Sequence, residues 1–195
     1  MAEDGAAVEI SDAGDLWVFG YGSLMWRPGF AYLESVPAVL DGYHRSFCIF
    51  SRYWRGTPEH PGLVLGLNPG GQCRGVVFRV AAAKRIAVLD YLAERELCGY
   101  AYCPQNLSVQ CDDGRRVLAY CLVADPAHPH YAGELSIDDT ARIIMDAHGV
   151  AGLNRDYLMA TLRDLEARGY SDAPLQRLLR LVEVLTGEID CGSGI

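Results

Sequence analysis

The sequence LWVFGYGSL, residues 16–24, runs from an apolar segment into a turn that contains two glycines. Its first part, LWVFG (16–20), is typical of a short buried strand that ends at glycine. Gly20 and Gly22 bracket Tyr21 in the turn that follows. Because glycines let backbone N–H groups converge on an anion, this turn predicts a binding loop for a carboxylate. A tight turn without a ligand is the alternative that this pattern alone leaves open.

Five further segments have the composition of β-strands and follow along the chain. Clusters of Gly, Pro and Asp, such as NPGG (68–71) and CDDG (111–114), separate several of them. The segments are VPAVLDGYHRSFCIF (36–50), GLVLGLN (62–68), CRGVVFRV (73–80), YAYCPQNLSVQ (100–110) and RRVLAYCLVA (115–124). Together with residues 16–20, they predict six strands that form a barrel or a strongly twisted sheet.

One helix is predicted between the strands and three more after them. AAAKRIAVLDYLAERE (81–96) is rich in good helix formers and contains no Gly or Pro. The C-terminal helices are predicted in SIDDTARIIMDAHG (136–149), NRDYLMATLRDLEARG (154–169) and APLQRLLRLVEVLTG (173–187). Ser136 with Asp139 forms a capping pair for the first of these, and Gly169 can end the second. Strands and helices must share one core, which predicts an α+β domain.

The predicted domain covers residues 16–186. Residues 1–15, which are acidic and rich in Ala, and residues 187–195 are expected to be flexible tails. A chain of 195 residues, half of them apolar, is long enough to bury one core and too short for two ordinary domains. An exposed helix stripe could serve a dimer, so we expect a monomer or a weak dimer.

Charge and cysteine content limit the partners and the compartment. The formal net charge of −8 argues against binding to nucleic acid or to an anionic membrane, since both need clustered Lys and Arg. No apolar run is long enough to span a membrane, and the first residues are acidic, unlike a secretory signal. The seven cysteines are odd in number and mostly lie in apolar runs, which favours reduced, structural thiols. We therefore expect a cytoplasmic protein that acts on a small molecule.

Glu96 is the candidate for proton transfer. In a regular helix at about 100° per residue, one apolar stripe contains Ile86, Leu89, Leu92 and Ala93. Glu96 falls near the middle of this stripe. The other faces carry Lys84, Asp90, Glu94 and Arg95. A carboxyl group held against apolar surroundings has a raised pKa, which suits general acid and base catalysis. The alternative is a helix that frays before Glu96 and leaves this side chain in water.

Four blocks occur in order along the chain: VFGYGSLMW (18–26), SRYWRGTPEHPG (51–62), YLAERELCGY (91–100) and HYAG (130–133). In this order they resemble the ChaC branch of the γ-glutamylcyclotransferases, and the resemblance extends over residues 16–185. It implies a γ-glutamylcyclotransferase-like fold with a small twisted, barrel-like sheet, and no metal or organic cofactor. It also implies a lyase that cuts glutathione into 5-oxoproline and Cys-Gly.

The same resemblance implies roles for individual residues. The substrate-binding loop corresponds to Gly20, Tyr21, Gly22, Ser23 and Leu24. The catalytic glutamate corresponds to Glu96. Arg52, with Trp54, Glu59 and His60, lies in the block that resembles a substrate-side loop of the family. Tyr131 occupies a place where related enzymes carry a tyrosine near the substrate. The two candidates found from the residues alone are thus also the two main sites of the family.

These residues permit a reaction without an enzyme nucleophile. The free α-amine of a γ-glutamyl group can attack its own side-chain carbonyl and close a lactam ring. Glu96 would take a proton from the amine as a carboxylate and return one to the leaving nitrogen as an acid. Backbone donors at Gly22 and Ser23, with the Ser23 hydroxyl, would bind the α-carboxylate or the developing oxyanion.

Three other functions stay open from the sequence. The same loop and base could act on other γ-glutamyl amino acids or amines. The domain could bind a γ-glutamyl compound as a non-catalytic regulator of cation transport. A Cys-His hydrolase would use Cys98 as its nucleophile, and the candidate bases are His44, His60 and His148. His128 and His130 lack the further ligands of a metal-site pattern, so an exposed loop is favoured there.

Overall fold

The computed structural model describes residues 14–97 and 99–187 of the chain. Residues 1–13 and 188–195, which form most of the predicted tails 1–15 and 187–195, lie outside the described residues, as does Cys98. The main sheet contains β1 (Leu16–Gly20), β2 (Glu34–Ser51), β3 (Gly62–Val80), β4 (Tyr102–Cys111) and β5 (Arg116–Ala124). These strands close a barrel in the order β1-β3-β2-β4-β5. The α+β class and the barrel-like sheet predicted from the sequence are confirmed.

Parallel pairing between β1 and β5 closes the barrel, with Trp17 opposite Ala119. β1 also pairs antiparallel with β3, and β2 pairs antiparallel with both β3 and β4. Just before β1, Asp15 accepts a hydrogen bond from the Arg79 guanidinium at 2.6 Å and one from the Ala82 N–H at 3.0 Å. These bonds fix the start of β1 against the end of β3.

The prediction of six strands was wrong, because the two segments at 62–68 and 73–80 belong to the single strand β3. The NPGG cluster between them does not end the pairing with β2. Instead, the register of the two strands shifts at this point. Gly70 (φ 99°) and Gly71 (φ 72°) adopt left-handed conformations, as does Gly42 (φ 81°) on the facing strand. The glycines therefore form an irregularity within one long ladder and do not break it.

Four α-helices accompany the barrel: α1 (Arg85–Leu92), α2 (Ile137–Asp146), α3 (Asn154–Ala167) and α4 (Ala173–Thr186). α1 lies between β3 and β4 in the chain, and the other three follow β5. A hairpin of β6 (His148–Gly149) and β7 (Gly152–Leu153) separates α2 from α3. Among residues 14–97 and 99–187, no helix has both the length and the apolar content needed to cross a membrane.

A polar residue fixes the start of α2 and another fixes the start of α3. The Ser136 hydroxyl accepts a hydrogen bond from the Asp139 N–H at 3.1 Å, as the predicted capping pair requires. Asn154 is the first residue of α3, and its side chain is fully buried. It accepts a hydrogen bond from the Leu63 N–H and donates one to the Leu63 carbonyl, both at 2.7 Å. This pair of bonds joins the start of α3 to β3.

One hydrophobic core joins the barrel to the C-terminal helices. Leu65 and Val76 of β3 belong to the same buried cluster as Ile144 of α2, Leu158 of α3 and Leu178 of α4. Sheet and helix side chains therefore exclude water from one shared interior, which is the arrangement that an α+β fold needs.

The helix predicted before β4 is not one regular α-helix. A 3-10 turn (Ala82–Lys84) precedes α1, and a π-helical turn (Ala93–Leu97) follows it. The predicted apolar stripe is wrong at Ile86, which is 75% exposed. Val88 and Leu92, four residues apart, are the buried side chains of α1. Ile86 lies about 200° from Val88 around the helix axis, so it points to solvent.

The described cysteines are free thiols. Cys48, Cys73, Cys111 and Cys121 are buried, and Cys103 is exposed. Burial is the main cause of a raised pKa in each of the four buried thiols. A thiol that stays protonated is a poor nucleophile, so these four side chains pack as small apolar groups.

Candidate active site

A cavity of about 360 Å³ lies beside the end of β1. Its wall combines the turn after β1, the loop after β2, the segment that follows α1 and the first turn of α3. Tyr21, Gly22, Ser23 and Leu24 line the cavity together with Glu96. Gly20, the last residue of β1, lies directly before this loop. The structure therefore brings the predicted binding loop and the predicted proton-transfer residue to one cavity.

The loop after β1 forms a 3-10 turn (Ser23–Met25). Its first backbone hydrogen bond runs from the Met25 N–H to the Gly22 carbonyl at 2.9 Å. The N–H groups ahead of this donor have no acceptor within the turn. A Cβ atom on Gly22 would lie 2.8 Å from the Tyr157 hydroxyl oxygen. Glycine is therefore required for the Tyr157 phenol to pack against the loop.

Hydrogen bonds at both ends of Tyr21 fix the loop to the barrel. The Tyr21 hydroxyl donates to the Leu122 carbonyl on β5 at 2.7 Å. The Arg45 guanidinium on β2 donates to the Tyr21 carbonyl at 2.6 Å and pairs with Asp172 at 3.1 Å. Asp172 is also the N-cap of α4, where its side chain accepts a hydrogen bond from the Leu175 N–H at 3.1 Å. The loop is thus connected to β5 through the Tyr21 side chain, and to β2 and the start of α4 through the Tyr21 carbonyl.

Glu96 lies on the π-helical turn after α1, and its side chain is only 15% exposed. Burial raises the pKa of the Glu96 carboxyl above its ordinary value, and the neighbouring Arg95 partly opposes this shift. The phenols of Tyr100 and Tyr157 also have raised pKa values, mainly through burial and in part through the negative charge of Glu96. The site therefore contains one buried carboxyl group near neutral phenols.

Arg95 connects Glu96 to the loop after β1. Its Nε atom lies 2.8 Å from Glu96 Oε1, and its Nη2 donates to the Ser23 hydroxyl at 3.0 Å. Its Nη1 donates to the carbonyls of Arg27 and Pro28 at 2.6 and 3.1 Å. The sequence prediction placed Arg95 on another face of the helix, and this was wrong. The π-helical turn has more residues per turn than an α-helix, so the angular positions predicted for an α-helix do not apply.

Arg55 forms another part of the wall that the sequence interpretation missed. Its Nη1 donates to the carbonyls of Ala151 and Leu153 at 2.8 and 3.0 Å. The guanidinium carbon lies 5.6 Å from the centroid of the Tyr157 ring. Burial lowers the pKa of this guanidinium below its ordinary value.

A sequence signal for Arg55 does exist. A Cβ atom on Gly56 would collide with the Gly62 nitrogen, and one on Gly62 would collide with the Arg55 carbonyl. The glycines of RGTPEHPG therefore mark the closed base of a loop, where backbone meets backbone. Of the two arginines in this segment, Arg55 lies at the base of the loop and lines the cavity, whereas Arg52 does not.

The other sequence candidates lie elsewhere. Arg52 is exposed and is not among the described residues that line the cavity, whereas Trp54 of the same block lines it. Tyr131 forms an isolated bridge with Ile49, and its hydroxyl donates to Asn68 Oδ1 at 3.0 Å. It is likewise absent from the described lining residues. The structure therefore brings Glu96 and the loop after β1 together, but it does not bring Arg52 or Tyr131 to them.

His128 and His130 lie in a loop, as predicted, but their side chains are half-buried and not exposed. The ring centroids of His128 and His130 are 5.1 Å apart, and His130 Nδ1 lies 2.7 Å from the Gly99 carbonyl oxygen. Within the described ranges, no group of three or more His, Cys, Asp or Glu side chains could hold a metal ion.

Two relatives align with most of the length of this chain. The glutathione-specific gamma-glutamylcyclotransferase of Escherichia coli (strain K12) is 37% identical over 177 residues, covering 91% of this chain and 77% of that protein. The glutathione-specific gamma-glutamylcyclotransferase 1 of Homo sapiens is 33% identical over 185 residues, covering 90% of this chain and 81% of that protein.

A solved structure and a family model also match this chain. The crystal structure of a gamma glutamyl cyclotransferase specific to glutathione from yeast superposes with a TM-score of 0.82. It covers 87% of this chain and 96% of that one at 24% identity, which establishes a shared fold. The family model described as ChaC-like protein matches residues 16–185, so the match includes the loop after β1, the π-helical turn and α3. This chain belongs to the ChaC-like protein family.

Proposed function

We propose that this chain is a γ-glutamylcyclotransferase that acts on glutathione and releases 5-oxoproline and Cys-Gly. The observation that carries the proposal is that Glu96 and the loop of residues 21–24 line the same cavity. Membership of the ChaC-like family and the names of the E. coli and human relatives support glutathione as the substrate.

The proposed reaction needs one acid-base group and no enzyme nucleophile. The α-amine nitrogen of the γ-glutamyl group attacks the γ-carbonyl carbon and closes the lactam ring. The bond from that carbon to the cysteine nitrogen breaks, and the cysteine nitrogen takes up a proton. Glu96 takes one proton from the α-ammonium group and passes it to the departing nitrogen. It then takes the second proton, which the ring nitrogen loses as the lactam N–H forms, and this proton converts the released amine of Cys-Gly to its ammonium form. A positioned acid-base group of this kind typically contributes about 10²- to 10⁴-fold to the rate.

The environment of Glu96 supports this role. Burial raises the pKa of its carboxyl group, which favours uptake of a proton, while Arg95 limits the shift and keeps the carboxylate accessible. A group that must both accept and donate a proton works best when its pKa lies near the operating pH. The opposing effects of burial and of Arg95 move the pKa of Glu96 towards that condition.

The loop after β1 is proposed to position the substrate. Backbone N–H groups at the start of its 3-10 turn would bind the α-carboxylate or the developing oxyanion, and Ser23 would add its hydroxyl. Holding the amine against the carbonyl strongly increases the rate of ring closure, since oriented intramolecular reactions reach effective molarities of about 10⁵ to 10⁸ M. Gly20 to Leu24 are therefore the proposed substrate loop. Arg52 and Tyr131 stay predictions that the cavity geometry does not support.

The test is to incubate the purified protein with reduced glutathione and to follow 5-oxoproline and Cys-Gly by mass spectrometry. We expect both products from the wild type and a loss of at least about 100-fold for Glu96→Gln, because glutamine cannot transfer the proton. Glu94→Gln is the matched control, since Glu94 is exposed on the same turn. Turnover by Glu96→Gln within about tenfold of the wild type would remove Glu96 from the mechanism.

The other functions predict different products. A γ-glutamylcyclotransferase for other substrates would leave glutathione intact and convert a γ-glutamyl amino acid or amine. A binding regulator would retain glutathione unchanged through a long incubation. A Cys-His hydrolase would release free glutamate and lose activity after treatment with iodoacetamide, whereas the proposed enzyme would keep its activity.

We further propose a cytoplasmic protein with residues 16–186 as one domain, acting as a monomer or a weak dimer. The free thiols at five described cysteines support a reducing compartment. The core that β3 shares with α2, α3 and α4 supports one folding unit. Sedimentation of the purified protein over a range of concentrations tests the assembly state.

A further inference from the structure

The cavity contains more positive charge than the proposed proton transfer uses. Three guanidinium groups line it, from Arg27, Arg55 and Arg95, and Glu96 is the only carboxylate among the described lining residues. Arg95 is already paired with Glu96 at 2.8 Å. Two cations are therefore left for a ligand, and glutathione carries two carboxylates, one at each end of the molecule.

Of these two cations, Arg55 is the one that contacts within the protein hold in place. Arg27 is exposed, whereas the Arg55 guanidinium is half-buried against the Tyr157 ring and is held by the carbonyls of Ala151 and Leu153. Both of these hydrogen bonds use Nη1, so the Nη2 edge stays available to a ligand. A guanidinium fixed in this way is well suited to bind a carboxylate through two parallel hydrogen bonds.

Arg55 has no carboxylate partner of its own. Across residues 14–97 and 99–187, no ion pair within 4.0 Å joins Arg55 to an acid. Asp156 attracts it only through space. Burial is the main cause of the lowered pKa of this cation, and the negative charges around it oppose that shift only in part. An incoming anion would oppose that shift further.

Arg55 and Glu96 lie around the same pair of phenols. The negative charge of Glu96 raises the pKa of Tyr100 and of Tyr157, and the positive charge of Arg55 lowers both. Glu96 makes its contact with Arg95 beside Ser23, whereas Arg55 contacts the hairpin carbonyls before α3. The acid-base group and the unpaired cation are therefore held by different parts of the cavity wall.

We infer that Arg55 binds the glycine carboxylate of glutathione, the carboxylate that is remote from the bond being broken. This inference rests on the proposed function. With the scissile bond beside Glu96 and the α-carboxylate at the loop after β1, the Cys-Gly part extends about 7 Å further. Its end carries the one remaining negative charge of the substrate. Arg55 thereby selects γ-glutamyl substrates whose leaving group is a dipeptide that ends in a carboxylate.

The test compares glutathione with its glycinamide analogue, γ-Glu-Cys-Gly-NH₂, in the wild type and in Arg55→Gln. A charged hydrogen-bonded contact of this kind is worth about 10- to 100-fold in kcat/KM. We expect the wild type to prefer glutathione by that factor. Arg55→Gln should lose it for glutathione and keep its kcat/KM for the glycinamide within about threefold. Arg142→Gln on the exposed surface of α2 is the control for removal of an arginine.

The outcomes separate this inference from the proposed function. Equal losses on both substrates would show that Arg55 supports the fold or binds the α-carboxylate, and they would overturn the inference alone. A wild type without preference between the substrates would overturn it as well. No 5-oxoproline from either substrate would overturn the proposed function and the inference together. If Arg55→Gln does not fold, Arg55→Lys provides the comparison, with a reduced preference for glutathione as the expected result.

Discussion

The Nε atom of Arg95 lies 2.8 Å from Oε1 of Glu96, its neighbour in the sequence. The same guanidinium donates to the Ser23 hydroxyl at 3.0 Å. In a regular α-helix adjacent side chains point about 100° apart, and the π-helical turn changes that spacing. One side chain thus connects the acid-base group to the loop that is proposed to hold the substrate.

Arg95→Gln should shift the pH dependence of the reaction. Arg95 lowers the pKa of Glu96 and so opposes the effect of burial. Without this guanidinium, the pKa of Glu96 rises further, and the carboxylate that accepts the proton exists only at higher pH. We expect the acidic limb of the profile of kcat against pH to move to higher pH. We also expect kcat at its optimum to fall about 10- to 100-fold, because Ser23 and Glu96 lose their common partner.

The control for this variant is Lys84→Gln, an exposed cation in the 3-10 turn before α1. It should leave both the profile and the maximal rate unchanged. An Arg95→Gln enzyme with a lower rate but an unshifted acidic limb would mean that Arg95 supports only the loop and does not tune Glu96.

Gly22→Ala tests the close approach of Tyr157 to the loop. The new Cβ would lie 2.8 Å from the Tyr157 hydroxyl oxygen, closer than real contacts allow. We expect the free energy of unfolding to fall by about 1–3 kcal/mol, measured by urea denaturation. We expect kcat/KM for glutathione to fall about 10- to 100-fold, because the loop must move.

A second substitution separates this steric effect from a general loss of stability. Tyr157→Phe removes the hydroxyl oxygen that the new methyl group would meet. In the Gly22→Ala background it should recover part of the lost stability. If the double variant is no more stable than Gly22→Ala alone, the collision with Tyr157 is not the reason for the loss.

Three of the four ordered blocks meet at one cavity although they lie far apart in the sequence. VFGYGSLMW contributes Gly22, SRYWRGTPEHPG contributes Trp54, and YLAERELCGY contributes Glu96. The strand segments and the cap of α2 were also predictable, since they depend on local patterns such as Ser136 with Asp139, but the joining of two segments into β3 was not. The fourth block is absent from the described lining residues, since Tyr131 contacts Asn68 and Ile49, and its role at the substrate stays a prediction.

The remaining differences between the sequence predictions and the structure come from backbone geometry, which residue patterns do not reveal. The helical wheel placed Arg95 away from Glu96 because it assumes regular α-helical spacing, and the π-helical turn breaks that assumption. The apolar residues of the loop after β2 follow neither the repeat of a helix nor that of a strand, so the sequence does not indicate which side chains face inward. Whether Arg52 or Arg55 faces the cavity is therefore fixed by backbone contacts at Gly56, which link residues far apart in the loop.

Asn154→Ala should destabilise the fold through the backbone of β3. The fully buried amide makes two 2.7 Å hydrogen bonds, one with the Leu63 N–H and one with its carbonyl. Alanine would leave both backbone groups buried without these partners. At a cost of about 1–3 kcal/mol for a buried unsatisfied group, we expect the free energy of unfolding to fall by about 2–4 kcal/mol. Asn106→Ala, at an exposed position of β4, should change it by less than about 0.5 kcal/mol in the same urea titration. Equal stability of the two variants would mean that water replaces the Asn154 amide and that the start of α3 does not depend on this link.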